Sequence, residues 1–208
     1  MEVIKADMVL LATVEHCLAF TNTVNWHASA APIDTLQSYA DLVAWAQQRS
    51  VVSAQEVERL ADRARRQPDE ADALFARAVA VREAIYRVLV AHAHEQTPVA
   101  EDIVRLNTEL AATLGYARVA WAEYSYVWAW AQEGVQLDAV LWPLVRAAAE
   151  VLTTPDMLTR IGQCADDRGC GWLFLDTSKN RSRRWCDIND CGNRAKQRRH
   201  YARTRKIV

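Results

Sequence analysis

Four of the five cysteines in this 208-residue chain lie close together near its C-terminal end, at Cys164, Cys170, Cys186 and Cys191, in the spacing C-x5-C-x15-C-x4-C. Two close pairs separated by a short insert constrain the fold strongly, because the pairs must converge if they share one ion. Thiolates suit Zn2+, which is borderline-soft and accepts tetrahedral sulfur coordination. Four sulfurs fill that shell and leave no position for water, so the cluster reads as a structural zinc site rather than a catalytic one. The apolar stretch ADMVLLATVEHCLAF is interrupted by Glu15 and His16, has no basic region before it, and is too short to span a bilayer. The expectation is a soluble, cytoplasmic protein without a membrane partner. Its cysteines are then reduced, which favours metal; a disulfide pair or redox switch is the alternative. Cys17 stands apart, on the apolar face of a helix, and reads as a small buried hydrophobe.

The residues around the cluster add a local shape. Residues 172–176 read as a strand, TSKN as a turn and 181–185 as the returning strand. Cys191 falls in the first turn of a helix that Asp190 can cap. Knuckle, hairpin and helix together describe a treble-clef-like module.

Charge divides the chain at the same place. From Leu158 onward there are 13 Lys and Arg against 5 Asp and Glu, whereas the preceding part has 12 against 21. An acidic body over residues 1–157 and a basic module over 158–208 follow. Arg181, Arg183 and Arg184 lie on the returning strand; Arg194, Lys196, Arg198, Arg199 and Arg203 lie on the terminal helix. Guanidinium forks match phosphate oxygens and guanine edges, so this is a candidate nucleic-acid surface. A helix fits the major groove of DNA, but charge alone leaves RNA open. The competing reading is a protein-interaction or structural module whose charge is met by the acidic body. Trp172 and Trp185 fit the core of so small a module better than base stacking.

The body has ordinary globular composition, 51% apolar and 25% charged. Helical periodicity runs over 8–21, with Leu10 and Leu11 on its apolar face, and again after Asp34, a candidate N-cap. Ser53 and Glu56 have capping-box spacing. A long helix spans about 70–94, another follows Thr97-Pro98 and ends at Gly115, and a last one covers about 137–152. Between these two the period changes to two: Val119 and Trp121, then Tyr126, Trp128 and Trp130, which predicts a β-hairpin with an aromatic face. That face either covers helices in the core, lines a pocket, or pairs with a second subunit in a homodimer. The fold class is thus α+β, a mostly helical body with a small antiparallel hairpin, followed by the zinc finger and its basic helix.

No constellation points to an enzyme: there is no Gly-rich phosphate loop, nucleophile elbow or His-Glu-x-x-His pattern. His92 and His94, two apart on a helix, cannot easily share a metal. In FTNTVNWH, Asn22, Asn25 and Trp26 are candidates for the mouth of a small-molecule effector pocket. The alternative is that the polar groups cap the helix end and arrange the turn.

The stretch CADDRGCGWLFLDTSKNRSRRWCDINDCGNRAKQRRHYARTRK resembles the CGNR zinc-finger family, whose name is spelled by Cys191, Gly192, Asn193 and Arg194. In that family the finger follows a mostly helical domain called ABATE, described as a stress-induced transcription regulator. The body, with FTNTVNW after its first helix, is similar in length and layout. The resemblance implies the four clustered cysteines as zinc ligands and DNA as the partner. The helical body is then expected to sense a small molecule or to mediate dimerisation.

Overall fold

The computed structural model describes residues 13–131 and 136–205. Its body is a set of packed helices. Residues 13–21 form α1, followed by a two-residue antiparallel pair, β1 (Val24–Asn25) with β2 (Ile33–Asp34). The expected start at residue 8, with Leu10 and Leu11, lies outside the described residues. Helix α2 (Tyr39–Gln48) is capped by Ser38, which accepts from the Asp41 amide. Asp34 is therefore not its cap: it turns the chain through the Leu36 amide and grips the buried Arg82 guanidinium at 2.6 and 2.9 Å. Helix α3 (Ala54–Arg66) has the reciprocal Ser53–Glu56 capping box.

Helix α4 (Pro68–Ala93) opens with its proline at the first position, where the missing N–H costs nothing. Its Leu74, Val81, Ile85 and Leu89 stripe is buried. Helix α5 (Ala100–Tyr116) starts two residues beyond the expected Pro98 and runs through Gly115, directly into the hairpin β3 (Ala117–Ala122) and β4 (Ser125–Trp130). A 3-10 turn over Leu137–Val140 leads into α6 (Trp142–Thr153), which is followed by the short α7 (Pro155–Leu158).

The C-terminal part begins with β5 (Ile161–Gln163), paired antiparallel with β6 (Leu173–Leu175). A π-helical turn over Ile188–Gly192 then leads into α8 (Asn193–Arg205). Among the described residues the fold is thus mostly helical with three two-stranded antiparallel sheets. Ile161 and Leu173 belong to the same apolar core as Val14, Leu42, Val81 and Leu144, so the core crosses from the body into the module that carries the cysteines. Among the described residues no helix is long and apolar enough to cross a membrane.

The expected aromatic hairpin forms, with Val119 opposite Trp128 and Trp121 opposite Tyr126, but it does not cover the core. Trp130, at its root, packs on Trp142, which also stacks with Tyr116. Beyond that root, Val119, Trp121, Tyr126 and Trp128 are exposed.

Candidate metal centre and nucleic-acid interface

The hairpin that presents the cysteines differs from the one read in the sequence. Residues 181–185 make no strand; β6 pairs instead with β5, which precedes Cys164. Cys164 to Cys170 is consequently the loop of the β5–β6 hairpin, closed by a bond from the Cys164 amide to the Trp172 carbonyl at 2.8 Å. Buried Asp176 replaces the missing ladder, accepting from the Ser178 amide at 2.8 Å and the Arg183 amide at 2.9 Å. The Ala165 amide donates to the Arg184 carbonyl and ties the returning segment to the knuckle. Asp187, rather than Asp190, caps the turn that delivers Cys191, accepting from the Asn189 and Asp190 amides.

These elements bring all four Sγ atoms within 4.8 Å of one another. A tetrahedron with Zn–S bonds near 2.3 Å has sulfur–sulfur edges of about 3.8 Å. Cys170 Sγ lies 3.7 Å from Cys186 Sγ, which lies 3.8 Å from Cys191 Sγ. The donor set, its spacing and its burial therefore suit a structural zinc ion. Electrostatics point the same way. Hydrogen bonds from Cys170 and Cys186 push the Cys164 thiol down to about 2, and that thiolate pushes Cys170 up to about 12. Cys186 is raised by the same two neighbours. Sulfurs packed this closely cannot all ionise against one another, and a divalent cation between them removes that conflict.

The body supplies a wall of this site. Trp26 packs against the cysteine cluster together with Trp172 and Trp185. The His27 amide donates to the Cys170 carbonyl at 3.0 Å, and the Ala28 amide to the Gly169 carbonyl at 3.1 Å. Such close approach needs glycine: a Cβ on Gly171 would stand 2.6 Å from the Ala28 nitrogen, and φ there is +68°. Asn22 turns its amide onto the backbone of Leu173 in both directions, donating to its carbonyl at 2.8 Å and accepting from its N–H at 2.9 Å. Trp172 Nε1 donates to the Val24 carbonyl, and the Tyr86 hydroxyl to the Gly171 carbonyl. Thr21 and Thr23 cap the end of α1 through the Leu18 and Phe20 carbonyls. Of the three residues read as a pocket mouth, Asn22 and Trp26 thus face the finger; Asn25 lies in β1, half-buried.

The basic residues fall into two groups. Asp166, whose side chain is fully buried, accepts from Arg168 at 2.8 Å and Arg198 at 3.0 Å, and Arg194 stands 3.7 Å away. These guanidiniums hold its carboxyl well below the usual carboxylate range, Arg168 first. Arg194 also donates to Cys191 Sγ at 3.3 Å and, like Arg168, lies over the Trp26 ring. Arg183 donates to the Trp185 carbonyl at 2.8 Å and covers Phe174. Arg181, Arg184 and Lys196, by contrast, are exposed and carry no salt bridge among the described residues, although Arg184 lies over the Trp185 ring. Arg199 and Arg203 lie in later turns of α8, their side chains outside those described. Among the described residues no salt bridge joins the finger to the acidic body; the finger's ion pairs are internal to it.

Sequence reasoning missed Asp166 and the tie that Asn22 makes to the finger. Asp166 had a visible signal, an acid between two prospective ligands in a basic segment. The partner of Asn22 lies 151 residues away, and nothing local announces it.

Comparison with known families matches residues 15–155 to ABATE, described as a "putative stress-induced transcription regulator". Residues 160–204 match the CGNR zinc finger. No curated protein matches the chain.

Proposed function

The chain belongs to the ABATE family and carries a CGNR zinc finger behind that domain, and from this premise we propose that it regulates transcription by gripping DNA through the finger. The observation that carries this reading is the separation of the finger's cations into held and free groups. Arg168, Arg183, Arg194 and Arg198 brace the metal site, whereas Arg181, Arg184 and Lys196 meet solvent on either side of it. Helix α8 adds Arg199, Arg203 and Arg205 to the cations of the finger and has no acid over Asn193–Arg205. Zinc held by Cys191 would fix the turn that leads into that helix, and the Asp166 cluster fixes its first turns through Arg194 and Arg198. A helix held so at one end offers its remaining cations to phosphates, and each neutralised phosphate releases counterions. The helical body, in this reading, senses a small molecule or brings two copies together. Its 22–29 segment touches the knuckle, so a shift there is felt at the metal.

The test is fluorescence anisotropy of duplex DNA across a salt series, with zinc-loaded full-length protein and its R199E/R203E variant. Binding that weakens by about 0.9 log unit per phosphate per tenfold rise in salt, with a shallower slope in the variant, is expected. Chelating the zinc should abolish binding. Equal slopes, or no binding even at low salt, would refute the reading; stronger binding to structured RNA in competition would transfer it to RNA.

A further inference from the structure

The β3–β4 arm is anchored at its root and bare beyond it. Val119 stands opposite Trp128 and Trp121 opposite Tyr126, so the four side chains share one face. Trp121 is 63% exposed, Tyr126 74% and Trp128 50%, and Tyr124 at the turn is 95% exposed. The face is pre-arranged: Trp121 and Tyr126 meet edge-on at 5.0 Å, and Arg146 covers one side of Trp128. Among the described residues, β3 and β4 bond only to each other, which leaves both outer edges open.

We propose that this arm is the contact surface for a second copy of the chain, aromatic face against aromatic face about a two-fold axis. Two observations favour that occupant. The first is area. Taking 150–250 Å² for a buried aromatic side chain, the arm leaves roughly 600 Å² of apolar surface in water, with Val119 and Tyr124 included. Patches on monomers reach about 300–600 Å², and each partner in a standard interface contributes about 800 Å². The second is charge. The strands contain a single charged residue, Arg118, and it lies on the opposite face from the aromatics. Arg146, which lies over Trp128, is already paired with Glu150, so a nucleic acid or an acidic peptide finds no unpaired cation to grip there among the described residues, whereas an identical apolar face needs none. Self-complementary contact is what a two-fold interface demands.

The proposal does not depend on DNA binding, and its test contains none. Sedimentation velocity of the zinc-loaded full-length protein over a concentration series should give a dimer. The double variant W121S/Y126S should raise the dimer Kd about a hundredfold or more, since a two-fold contact loses each side chain twice. Its thermal melt, extrapolated to monomer, should match that of the wild type. An R118S variant, altered on the opposite face, should dimerise like the wild type. A wild type that stays monomeric, a double variant that dimerises equally well, or an R118S variant weakened as much as the double variant would each overturn the assignment.

Discussion

Replacing Asn22 by alanine tests whether body and finger are one folding unit. The side chain makes two hydrogen bonds to the backbone of Leu173, at 2.8 and 2.9 Å, and Leu173 is buried. Alanine leaves a buried N–H and a buried C=O without these partners, and each orphaned group costs about 1–3 kcal/mol. A loss of about 3 kcal/mol follows, or roughly 6–12 °C in Tm for a chain of this size. Urea unfolding followed by far-UV circular dichroism and by tryptophan fluorescence should show one transition, moved to a lower midpoint with unchanged slope. The Asn22→Asp variant discriminates further. It keeps an acceptor for the Leu173 N–H but sets a carboxylate oxygen against the Leu173 carbonyl, so it should be at least as damaging. The reasoning fails if Asn22→Ala costs less than about 1 kcal/mol. It fails equally if a separate finger transition moves while that of the body stays in place.

Two further perturbations address the same architecture. Gly171→Ala forces a side chain into a left-handed backbone and against Ala28, and should cost more than about 2 kcal/mol in chemical denaturation; a smaller loss would mean that the 22–29 segment yields easily. Asp102 accepts from Arg87 at 2.9 and 2.5 Å, and that pairing lowers its pKa. Its contribution is present above the unfolded carboxylate pKa of about 3.9 and is lost as pH falls through the lower folded value. Because Arg87 is half-exposed, the contribution is only about 1 kcal/mol. Asp102→Asn should remove it at neutral pH and flatten the acid limb of the stability–pH curve; an unchanged acid limb would assign that limb to other carboxylates.

Features whose cause lies close by in the chain were legible in the sequence. The Ser53–Glu56 box needs only three residues, and the 117–130 hairpin declares itself through a two-residue period in aromatic and β-branched side chains. The cysteine spacing identified the metal cluster without any knowledge of its scaffold. Where local signals ran out, the reading went astray. Residues 181–185 look like a strand, but a three-residue ladder has too little periodicity to choose between partners, and the competitor, Ile161–Gln163, lies before the knuckle. Periodicity also marked an aromatic face on the hairpin without indicating what would lie over it. The arginines illustrate the same limit: Arg183, Arg194 and Arg198 look as available as Lys196 in sequence, and only the folded chain reveals the contacts that occupy them, Trp185 and Phe174 for the first, Asp166 and Trp26 for the others.

The bond between Asn22 and Leu173 also sets a timetable for biosynthesis. At about 5–20 residues per second, the 151 residues between them take roughly 8–30 s to emerge from the ribosome. Throughout that interval Asn22, Trp26 and the 27–28 amides wait without their eventual partners, while α2 to α6 emerge in turn and become available to collapse. The nascent helical body therefore carries an unfinished edge that residues 169–173 close, and metal capture, which needs Cys191, comes later still. Maturation of the body is tied to synthesis of the finger, and a ribosome stalled before residue 173 would release a body lacking these tethers.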